Sequence, residues 1–251
     1  MPKNAICFAL LAVLYFDSSL ALALNNSTVI TAVGEYDSKD ALGGRDTTFY
    51  PLLLQSYDGG ATWSSKSMKT ILPKNYHGYG IFNSIYCDKS NCLLAGNYRD
   101  RNDDTHPLLY KSSDSGKYWS LVTALPKDYL NGGTFKDVNC DNTICIAVGR
   151  YRNKKEDWQP LLAISHNAGQ HWFYPESVIT NIPTHADRGV FTKGYCKDQV
   201  CTTVGQYHLG INTTMPLLAK STDGGLTWHY VSTLPDDYSY HGTLKNITIH
   251  G

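Results

Sequence analysis

A tryptophan-ending octet occurs four times in this chain and restricts its fold more than any other sequence feature. The four tryptophans, Trp63, Trp119, Trp172 and Trp228, follow one another at intervals of 53 to 56 residues. Self-similarity at such a period is typical of repeat architectures. The octets are Ser56-Tyr57-Asp58-Gly59-Gly60-Ala61-Thr62-Trp63, Ser112-Ser113-Asp114-Ser115-Gly116-Lys117-Tyr118-Trp119, Ser165-His166-Asn167-Ala168-Gly169-Gln170-His171-Trp172 and Ser221-Thr222-Asp223-Gly224-Gly225-Leu226-Thr227-Trp228.

Each octet is surrounded by three other repeating segments, so each repeat predicts four strands. Strand a follows a glycine (Gly80, Gly133, Gly189, Gly242), strand b carries Gly-x-Tyr (Gly34, Gly96, Gly149, Gly205), strand c begins with Pro-Leu-Leu (Pro51, Pro107, Pro160, Pro216), and strand d follows the tryptophan. The abundance of tyrosine and of tight-turn glycine pairs agrees with an all-β chain.

One detail of strand a departs from simple alternation. Phe82 and Ile85, and likewise Phe135 and Val138, are three residues apart. A plain strand places such residues on opposite faces, and we expect sheets covered on both faces to accommodate them.

The octets resemble the Asp-box, Ser-x-Asp-x-Gly-x-Thr-Trp, of sialidases, sortilin-type receptors and other β-propellers. The first and fourth octets match it fully; the second lacks the threonine, and the third has Asn167 in place of aspartate. The resemblance implies a structural role, in which the acidic or amide residue accepts turn hydrogen bonds and the tryptophan packs beneath. The residues concerned are Asp58, Trp63, Asp114, Trp119, Asn167, Trp172, Asp223 and Trp228. Binding of calcium or a ligand is the alternative.

Four repeats of four strands predict a four-bladed β-propeller with four antiparallel strands per blade. The first predicted strand, near residues 28–36, is of type b, and the last, near 242–249, is of type a. We therefore expect the N-terminal and C-terminal strands to pair and close the ring. An open stack, or a piece of a larger propeller, is the alternative.

The N-terminus predicts export. Lys3 precedes an apolar run from Ala5 to Phe16, and the small residues around Ala23 fit signal-peptidase cleavage. The prediction is a signal peptide over residues 1–23, one propeller domain over 24–251, and a secreted or periplasmic location. A membrane anchor is the alternative for the apolar run, although it is short for a bilayer span.

Six cysteines outside the leader form three pairs with the same spacing: Cys87 and Cys92, Cys140 and Cys145, and Cys196 and Cys201. An even, regular set in an exported chain predicts disulfides, with a zinc site as the alternative. Each bridge closes a small loop and stabilises the fold by only about 2 kcal/mol in the chain-entropy model.

Alternating strand direction would bring the b-c and d-a loops to one end of the fold, where loops on a rigid scaffold usually carry function. All six arginines map to this end, and arginine suits the capture of carboxylate, sulfate or phosphate. Aromatic residues suit sugar rings or a protein partner. The predicted ligand-binding residues are Arg99, Arg101, Arg150, Arg152, Arg188, Tyr76, Tyr129, Tyr238 and Trp158. The alternative is a solvated face whose arginines pair with nearby acids.

These features predict a secreted, non-catalytic module that binds a glycan or an extracellular protein, with no metal or cofactor. Equal numbers of basic and acidic residues, 22 of each, give no reason to expect nucleic acid as a partner, and we expect no membrane insertion. The oligomeric state stays open. The alternative is a sialidase-like glycoside hydrolase acting on an anionic sugar, for which the resemblance implies an arginine triad, an Arg-Ile-Pro-like segment, a tyrosine–glutamate pair and an aspartate. No Arg-Ile-Pro occurs, and glutamate is scarce.

Overall fold

The computed structural model describes residues 29–38, 48–123, 132–153, 155, 157–175, 186, 188–210, 212–232 and 241–249. These residues form an all-β fold of fourteen strands and one short 3-10 helix, Lys69–Ile71. None of their helices is long and apolar enough to cross a membrane. The prediction of an all-β chain is confirmed.

The strands are β1 (Ile30–Ser38), β2 (Thr48–Ser56), β3 (Ser64–Ser65), β4 (Tyr76–Asp88), β5 (Asn91–Asp100), β6 (Thr105–Ser112), β7 (Ser120–Leu121), β8 (Gly133–Asp141), β9 (Ile144–Arg152), β10 (Trp158–Ser165), β11 (Arg188–Lys197), β12 (Val200–Leu209), β13 (Thr213–Ser221) and β14 (His229–Tyr230).

The strands assemble in the order that the repeat predicts. Antiparallel ladders join β4-β5-β6-β7 and β11-β12-β13-β14 in the second and fourth repeats. The third repeat has β8-β9-β10 and only a bridge from Ile164 to Phe173 as its fourth member. The first repeat has β1-β2-β3, and a single parallel bridge from Phe49 to Tyr79 links it to the next sheet. Strand d is therefore much shorter than the other three in each repeat.

Strand a carries a bulge at the same place in three repeats. The register shifts between Phe82 and Ser84 in β4, and between Phe135 and Asp137 in β8. β11 has the same shift between Phe191 and Lys193. One extra residue brings side chains three apart onto the same face. The expectation that Phe135 and Val138 lie on opposite faces is therefore wrong, and both pack in one cluster.

The glycine of strand b is required by the strand a that pairs with it. A Cβ on Gly96, Gly149 or Gly205 would lie 1.9 to 2.0 Å from the carbonyl oxygen of Ile81, Thr134 or Val190. Only glycine permits this approach.

The core consists of three apolar clusters, each lying between two successive sheets. Leu53 and Met68 of the first repeat pack with Phe82, Tyr110 and Trp119 of the second. A second cluster lies between the second and third sheets, and a third lies between the third and fourth. In each cluster the octet tryptophan packs against the preceding sheet, so Trp119, Trp172 and Trp228 are 7%, 7% and 1% exposed.

The three predicted disulfides are present: Cys87–Cys92, Cys140–Cys145 and Cys196–Cys201. Each joins directly opposed residues across an a-to-b hairpin. Their Cα–Cα distances of 4.0 to 4.1 Å are short because the partners face each other across adjacent strands.

The octets form one turn repeated four times. In the fourth repeat, Ser221 donates to Asp223 at 2.7 Å, and the Gly225 amide donates to Ser221 at 2.8 Å. The Thr227 amide donates to Asp223 at 2.9 Å. The other octets repeat these three bonds, and Asn167 accepts in the third one as the aspartates do elsewhere.

A buried carboxylate connects the a strands of three successive sheets. Asp137 of β8, 3% exposed, accepts hydrogen bonds from Ser84 of β4 at 2.8 Å and from Lys193 of β11 at 2.8 Å. The Gly194 amide adds a third at 3.2 Å. A buried charge with this many partners is satisfied and fixes the relative position of the three strands.

Closure of the ring by pairing of the terminal strands is not confirmed. Within the described part of the chain, residues 241–249 form no ladder with β1. Their backbone instead bonds to the fourth sheet, with Leu244 donating to Gly205 at 3.1 Å and Gly242 to Thr214 at 2.8 Å. Trp63, the tryptophan of the first sheet, is 46% exposed, since no other described sheet covers it.

The octet aspartates predict a specific loss of stability in acid. Hydrogen bonds, led by those from the threonine hydroxyls, lower the pKa of Asp58 and of Asp223 to about 2. A carboxylate whose pKa is lowered on folding stabilises the fold above its unfolded pKa of about 3.9, and this contribution is lost as the pH falls towards 2. The double variant Asp58→Asn/Asp223→Asn should therefore show a smaller fall of Tm between pH 4 and 2 than the wild type, measured by circular dichroism.

Asparagine suits this comparison because Asn167 already accepts the equivalent backbone hydrogen bond in the third octet. The control is Asp104→Asn, which changes an exposed aspartate outside the octets. Parallel Tm profiles for the wild type and the double variant would contradict the expectation.

Candidate functional site

The predicted arginine end is built from the last residues of the b strands and the first residues of the a and c strands. Arg99 and Arg152 lie at the carboxyl ends of β5 and β9, Trp158 begins β10, and Arg188 begins β11. The hairpins with the disulfides lie at the other end of the same strands. The antiparallel ladders therefore separate the arginines from the cystines.

The centre of the candidate site is Trp158 with two arginines against its ring. The Arg150 guanidinium carbon lies 4.3 Å from the ring centroid of Trp158, and that of Arg152 lies 4.9 Å from it. The pairing of β9 with β10 sets this arrangement, since Arg152 is directly opposite Trp158. Cation–π contacts of this kind hold a guanidinium without neutralising its charge.

This cluster concentrates positive charge. Burial, with a further contribution from Arg152, lowers the pKa of Arg150 below its usual range. Lys136, at the bulge of β8, reaches solvent, yet the surrounding protein and the nearby Arg150 lower its pKa too. Within the described residues no carboxylate forms an ion pair with Arg150, and its buried Nε has no hydrogen-bond partner. The arrangement is suited to an anion.

A second group lies between the first two sheets at the same end. Burial, and then the charge of Glu35 and hydrogen bonding to its carboxylate, raise the pKa of Tyr79. The Arg99 guanidinium carbon lies 5.1 Å from the Tyr79 ring centroid. The positive charge of Arg99 lowers the pKa of Tyr79 and so partly offsets the rise. A tyrosine that donates to a carboxylate can transfer its proton when its oxygen attacks an electrophile.

The two groups occur on neighbouring sheets and are linked through Gly132. Thr105 is paired with Arg99, and a Cβ on Gly132 would lie 3.3 Å from the Thr105 carbonyl oxygen and 3.7 Å from Arg152 Cδ. The Arg152 amide also donates to Gly132 at 2.9 Å. Arg152 therefore borders the loop that follows Arg99.

The other predicted arginines are more exposed. Arg99 forms an ion pair with Asp103 at 3.0 Å, as expected for a solvated face. Arg101 lies in the exposed turn after β5, and Arg188 is exposed at the start of β11 opposite His208. The structure brings only Arg150 and Arg152 together on one aromatic ring.

Tyr76 is part of an aromatic row instead of a free loop residue. Its ring stacks on Tyr50 at 5.7 Å and on Tyr98 at 6.5 Å, and its hydroxyl donates to the Phe49 carbonyl. β4 begins at Tyr76, so this residue lies in a strand and not in a d-a loop. Tyr129 and Tyr238 lie outside the described residues.

Sequence reasoning missed Glu35, Tyr79 and Lys136. The sequence does contain a signal for Glu35. The residue between the glycine and the tyrosine of strand b is, in the four repeats, Glu35, Asn97, Arg150 and Gln206. Each is polar, and Asn97 shows where this position lies, since it accepts from Thr134 of the next sheet at 2.9 Å. Tyr79 and Lys136 depend on the paired strand and the bulge, which the sequence did not reveal.

The described part of the chain offers no candidate metal centre, and two of its cavities lie away from the arginine end. No group of three or more His, Cys, Asp or Glu residues there could hold a metal ion. Two cavities, of about 420 and 450 Å³, lie at the opposite end, beside the Cys87–Cys92 disulfide and beside the second octet. The candidate site is therefore defined by its charged and aromatic residues.

Comparison with solved structures finds sialidases. A mutant of Trypanosoma rangeli sialidase displaying trans-sialidase activity is 13% identical with a TM-score of 0.53, over 82% of this chain and 36% of that one. Trypanosoma rangeli sialidase in complex with the inhibitor DANA is 13% identical with a TM-score of 0.52, over 80% of this chain and 36% of that one. Its complex with sialic acid is 14% identical with a TM-score of 0.51, over 80% of this chain and 35% of that one. The chain thus spans about a third of the length of these sialidases. At this identity the likeness establishes the fold. No family model and no curated protein matches the sequence.

This comparison corrects one prediction of the sequence analysis. The sialidases found by this comparison are enzymes, which contradicts the prediction of a chain without catalytic activity. The alternative, a sialidase-like glycoside hydrolase, fits these neighbours better. The resemblance of the octets to those of sialidases is supported at the level of the fold.

The mutual effect of Lys136 and Arg150 can be measured directly. In Arg150→Ala the neighbouring charge is removed and the side chain that helps to bury Lys136 is shortened, so the pKa of Lys136 should rise towards that of an exposed lysine. The pH dependence of the Lys136 13Cε chemical shift reports this change. The exposed Arg101→Ala serves as the control and should leave the Lys136 titration unchanged. An unchanged titration in Arg150→Ala would show that the two cations do not interact.

Proposed function

We propose that this protein is a glycoside hydrolase of the sialidase type that binds and cleaves a sugar carrying a carboxylate. The observation that carries the proposal is the pair Arg150 and Arg152 on the Trp158 ring, with no ion pair to Arg150 in the described part of the chain. The Tyr79–Glu35 pair on the adjoining sheets supplies the reactive groups.

The arginine pair provides the means to hold the substrate anion. A guanidinium offers two parallel N–H donors that match the two oxygens of a carboxylate. Trp158 orders both arginines before substrate arrives, which reduces the entropy lost on binding. Lys136 adds positive charge without a fixed direction, and the partial burial of Arg150 strengthens its attraction for an anion.

Tyr79 and Glu35 would carry the chemistry. The Tyr79 oxygen attacks the anomeric carbon while Glu35 accepts the phenolic proton, and the bond to the leaving oxygen breaks as that oxygen takes a proton from a solvent water molecule. The hydroxide left by that proton transfer then attacks the anomeric carbon and cleaves the tyrosyl–sugar bond, while Glu35 returns its proton to the Tyr79 oxygen. A phenol with a raised pKa holds its proton at neutral pH, so transfer to Glu35 is what activates it. The glycan predicted as a binding partner is, in this proposal, the substrate.

We also propose that the described sheets are four blades of a ring, as the sequence predicts. Gly242 packs on Pro216 as Gly80 packs on Pro51 and Gly189 on Pro160. This likeness supports the assignment of residues 241–249 to a strand a. Gly34 has open space where the equivalent glycines meet a strand a. A strand from 242–249 beside β1 would fill that space and cover Trp63.

The location follows from the same features. Three disulfides favour an oxidising compartment. We propose that residues 1–23 are a signal peptide, that 24–251 form the propeller domain, and that the protein acts outside the cytoplasm.

Turnover of aryl glycosides tests the catalytic proposal. The 4-methylumbelliferyl α-sialoside should be hydrolysed, whereas the neutral β-galactoside should not. Arg150→Ala should lower kcat/KM by about 100-fold, because a buried charged contact to the substrate is lost. Glu35→Gln should lower kcat by roughly 10²–10⁴-fold, the usual contribution of a general base, and Tyr79→Phe should abolish turnover.

The exposed Tyr57→Phe and Arg101→Ala serve as matched controls and should keep wild-type rates. Hydrolysis of the neutral glycoside alone would exclude the carboxylate site. An absence of hydrolysis with every anionic glycoside would refute the enzyme, and full activity of Tyr79→Phe would refute the assigned nucleophile.

Quenching of Trp63 fluorescence tests the closed ring. A variant that keeps only Trp63, with the other tryptophans replaced by phenylalanine, should show emission shielded from iodide if 242–249 and the fourth blade cover it. Deletion of residues 242–251 should then expose Trp63 and raise the quenching constant several-fold. Strong quenching in both chains would mean an open stack. Circular dichroism confirms that each variant retains its β structure.

A further inference from the structure

A second cavity lies at the end of the fold remote from the arginines. It has a volume of about 450 Å³ and sits between the octets of the second and third repeats. Pockets that bind small ligands usually measure roughly 300–1,000 Å³. Its lining includes Asn91, Lys111, Asp114, Tyr118, Trp119 and Gln170.

The octet beside this cavity differs from the others where it faces solvent. Tyr118 occupies the position of Thr62 and Thr227, and 80% of it is exposed. The Lys66 ammonium lies 5.5 Å from the ring centroid. An exposed aromatic ring at the mouth of a polar cavity is a surface on which a sugar ring can stack.

The same substitution leaves acceptor capacity on Asp114. In the first and fourth octets a threonine hydroxyl donates to the second carboxylate oxygen of the aspartate. Tyr118 has no hydroxyl on its Cβ, so it donates to Asp114 only through its backbone amide, at 2.9 Å to Oδ1. Ser112 donates to the same oxygen at 2.7 Å. Asp114 can therefore accept a hydrogen bond from a ligand hydroxyl.

Trp119 shows the third difference. The indole N–H of Trp63, Trp172 and Trp228 donates to the octet glycine carbonyl at 2.9 to 3.1 Å. The Trp119 Nε1 is buried and has no partner among the residues that the structure describes. Lys66 donates to the Gly116 carbonyl instead, at 3.4 Å. A buried donor without an acceptor is costly, and here it belongs to a residue that lines the cavity.

We propose that this cavity binds an uncharged sugar ring, separately from the anionic site. Tyr118 provides a stacking face, and Asp114, Asn91 and Gln170 provide acceptors and donors for hydroxyl groups. Lys111 and Asp114 contribute one positive and one negative charge, so the lining does not favour an anion. The site lies on the octet end, so it can hold a glycan while the arginine end stays free.

Saturation-transfer NMR with methyl β-galactoside, methyl α-mannoside and methyl N-acetyl-β-glucosaminide tests the proposal on the full chain. At least one glycoside should receive saturation from the wild type. Tyr118→Thr, which restores the residue of the first and fourth octets, should weaken that binding by about tenfold, as expected for a lost aromatic contact. Gln170→Ala should weaken it as well.

Tyr57→Thr is the matched control, because it removes an exposed octet tyrosine away from the cavity, and it should bind as the wild type does. Arg150→Ala should also bind normally, which separates this site from the proposed catalytic one. The proposal is overturned if none of the three glycosides binds, if Tyr118→Thr and Gln170→Ala both bind as the wild type does, or if Arg150→Ala abolishes the signal.

Discussion

The structure depends on the contact between the bulged a strand and the glycine of the b strand beside it. A carbonyl of the a strand lies where a Cβ of Gly96, Gly149 or Gly205 would be. Since a larger residue cannot occupy that space, the a and b strands of each repeat have one possible register. The bulge then directs Phe82 and Phe135 into the clusters between sheets, so strand pairing and core packing are set together.

The same register determines where the polar residues lie. In the second repeat the residue after this glycine is Asn97, which accepts a hydrogen bond from Thr134 of the next sheet. In the first repeat this position places Glu35 beside Tyr79, and in the third it places Arg150 beside Trp158 and Lys136. One structural position therefore carries a carboxylate, an amide and a cation around the end of the fold. The scaffold stays the same while the chemistry of each position differs.

Much of the fold could be predicted from the sequence, because its period is explicit. The tryptophan spacing, the Pro-Leu-Leu segments and the paired cysteines locate the b and c strands, the octet turns and the three disulfides. The bulges could not be predicted, because they leave only apolar residues three apart, as at Phe135 and Val138. Closure was predicted from the order of the strands and is not confirmed, since it depends on one set of hydrogen bonds between distant segments.

The candidate site was predicted less completely. The arginines and Trp158 were recognised as a group because charge and aromatic residues stand out in loops, and the structure narrows that group to Arg150 and Arg152. Tyr79 was not recognised, because its role depends on Glu35, a residue 44 positions earlier in the chain. Absence of catalysis was inferred from missing motifs, and motifs along the chain do not report which groups meet in space.

The direction in which the tryptophans pack has a consequence for biosynthesis. Trp119, Trp172 and Trp228 each bury themselves against the sheet that precedes them in the chain. Each new sheet can therefore pack against a sheet that has already been synthesised. Assembly can follow the order of translation and does not depend on segments that are made later. Among the described residues Trp63 has no such contact and stays 46% exposed, so the first sheet keeps at its surface an aromatic side chain that the later sheets bury.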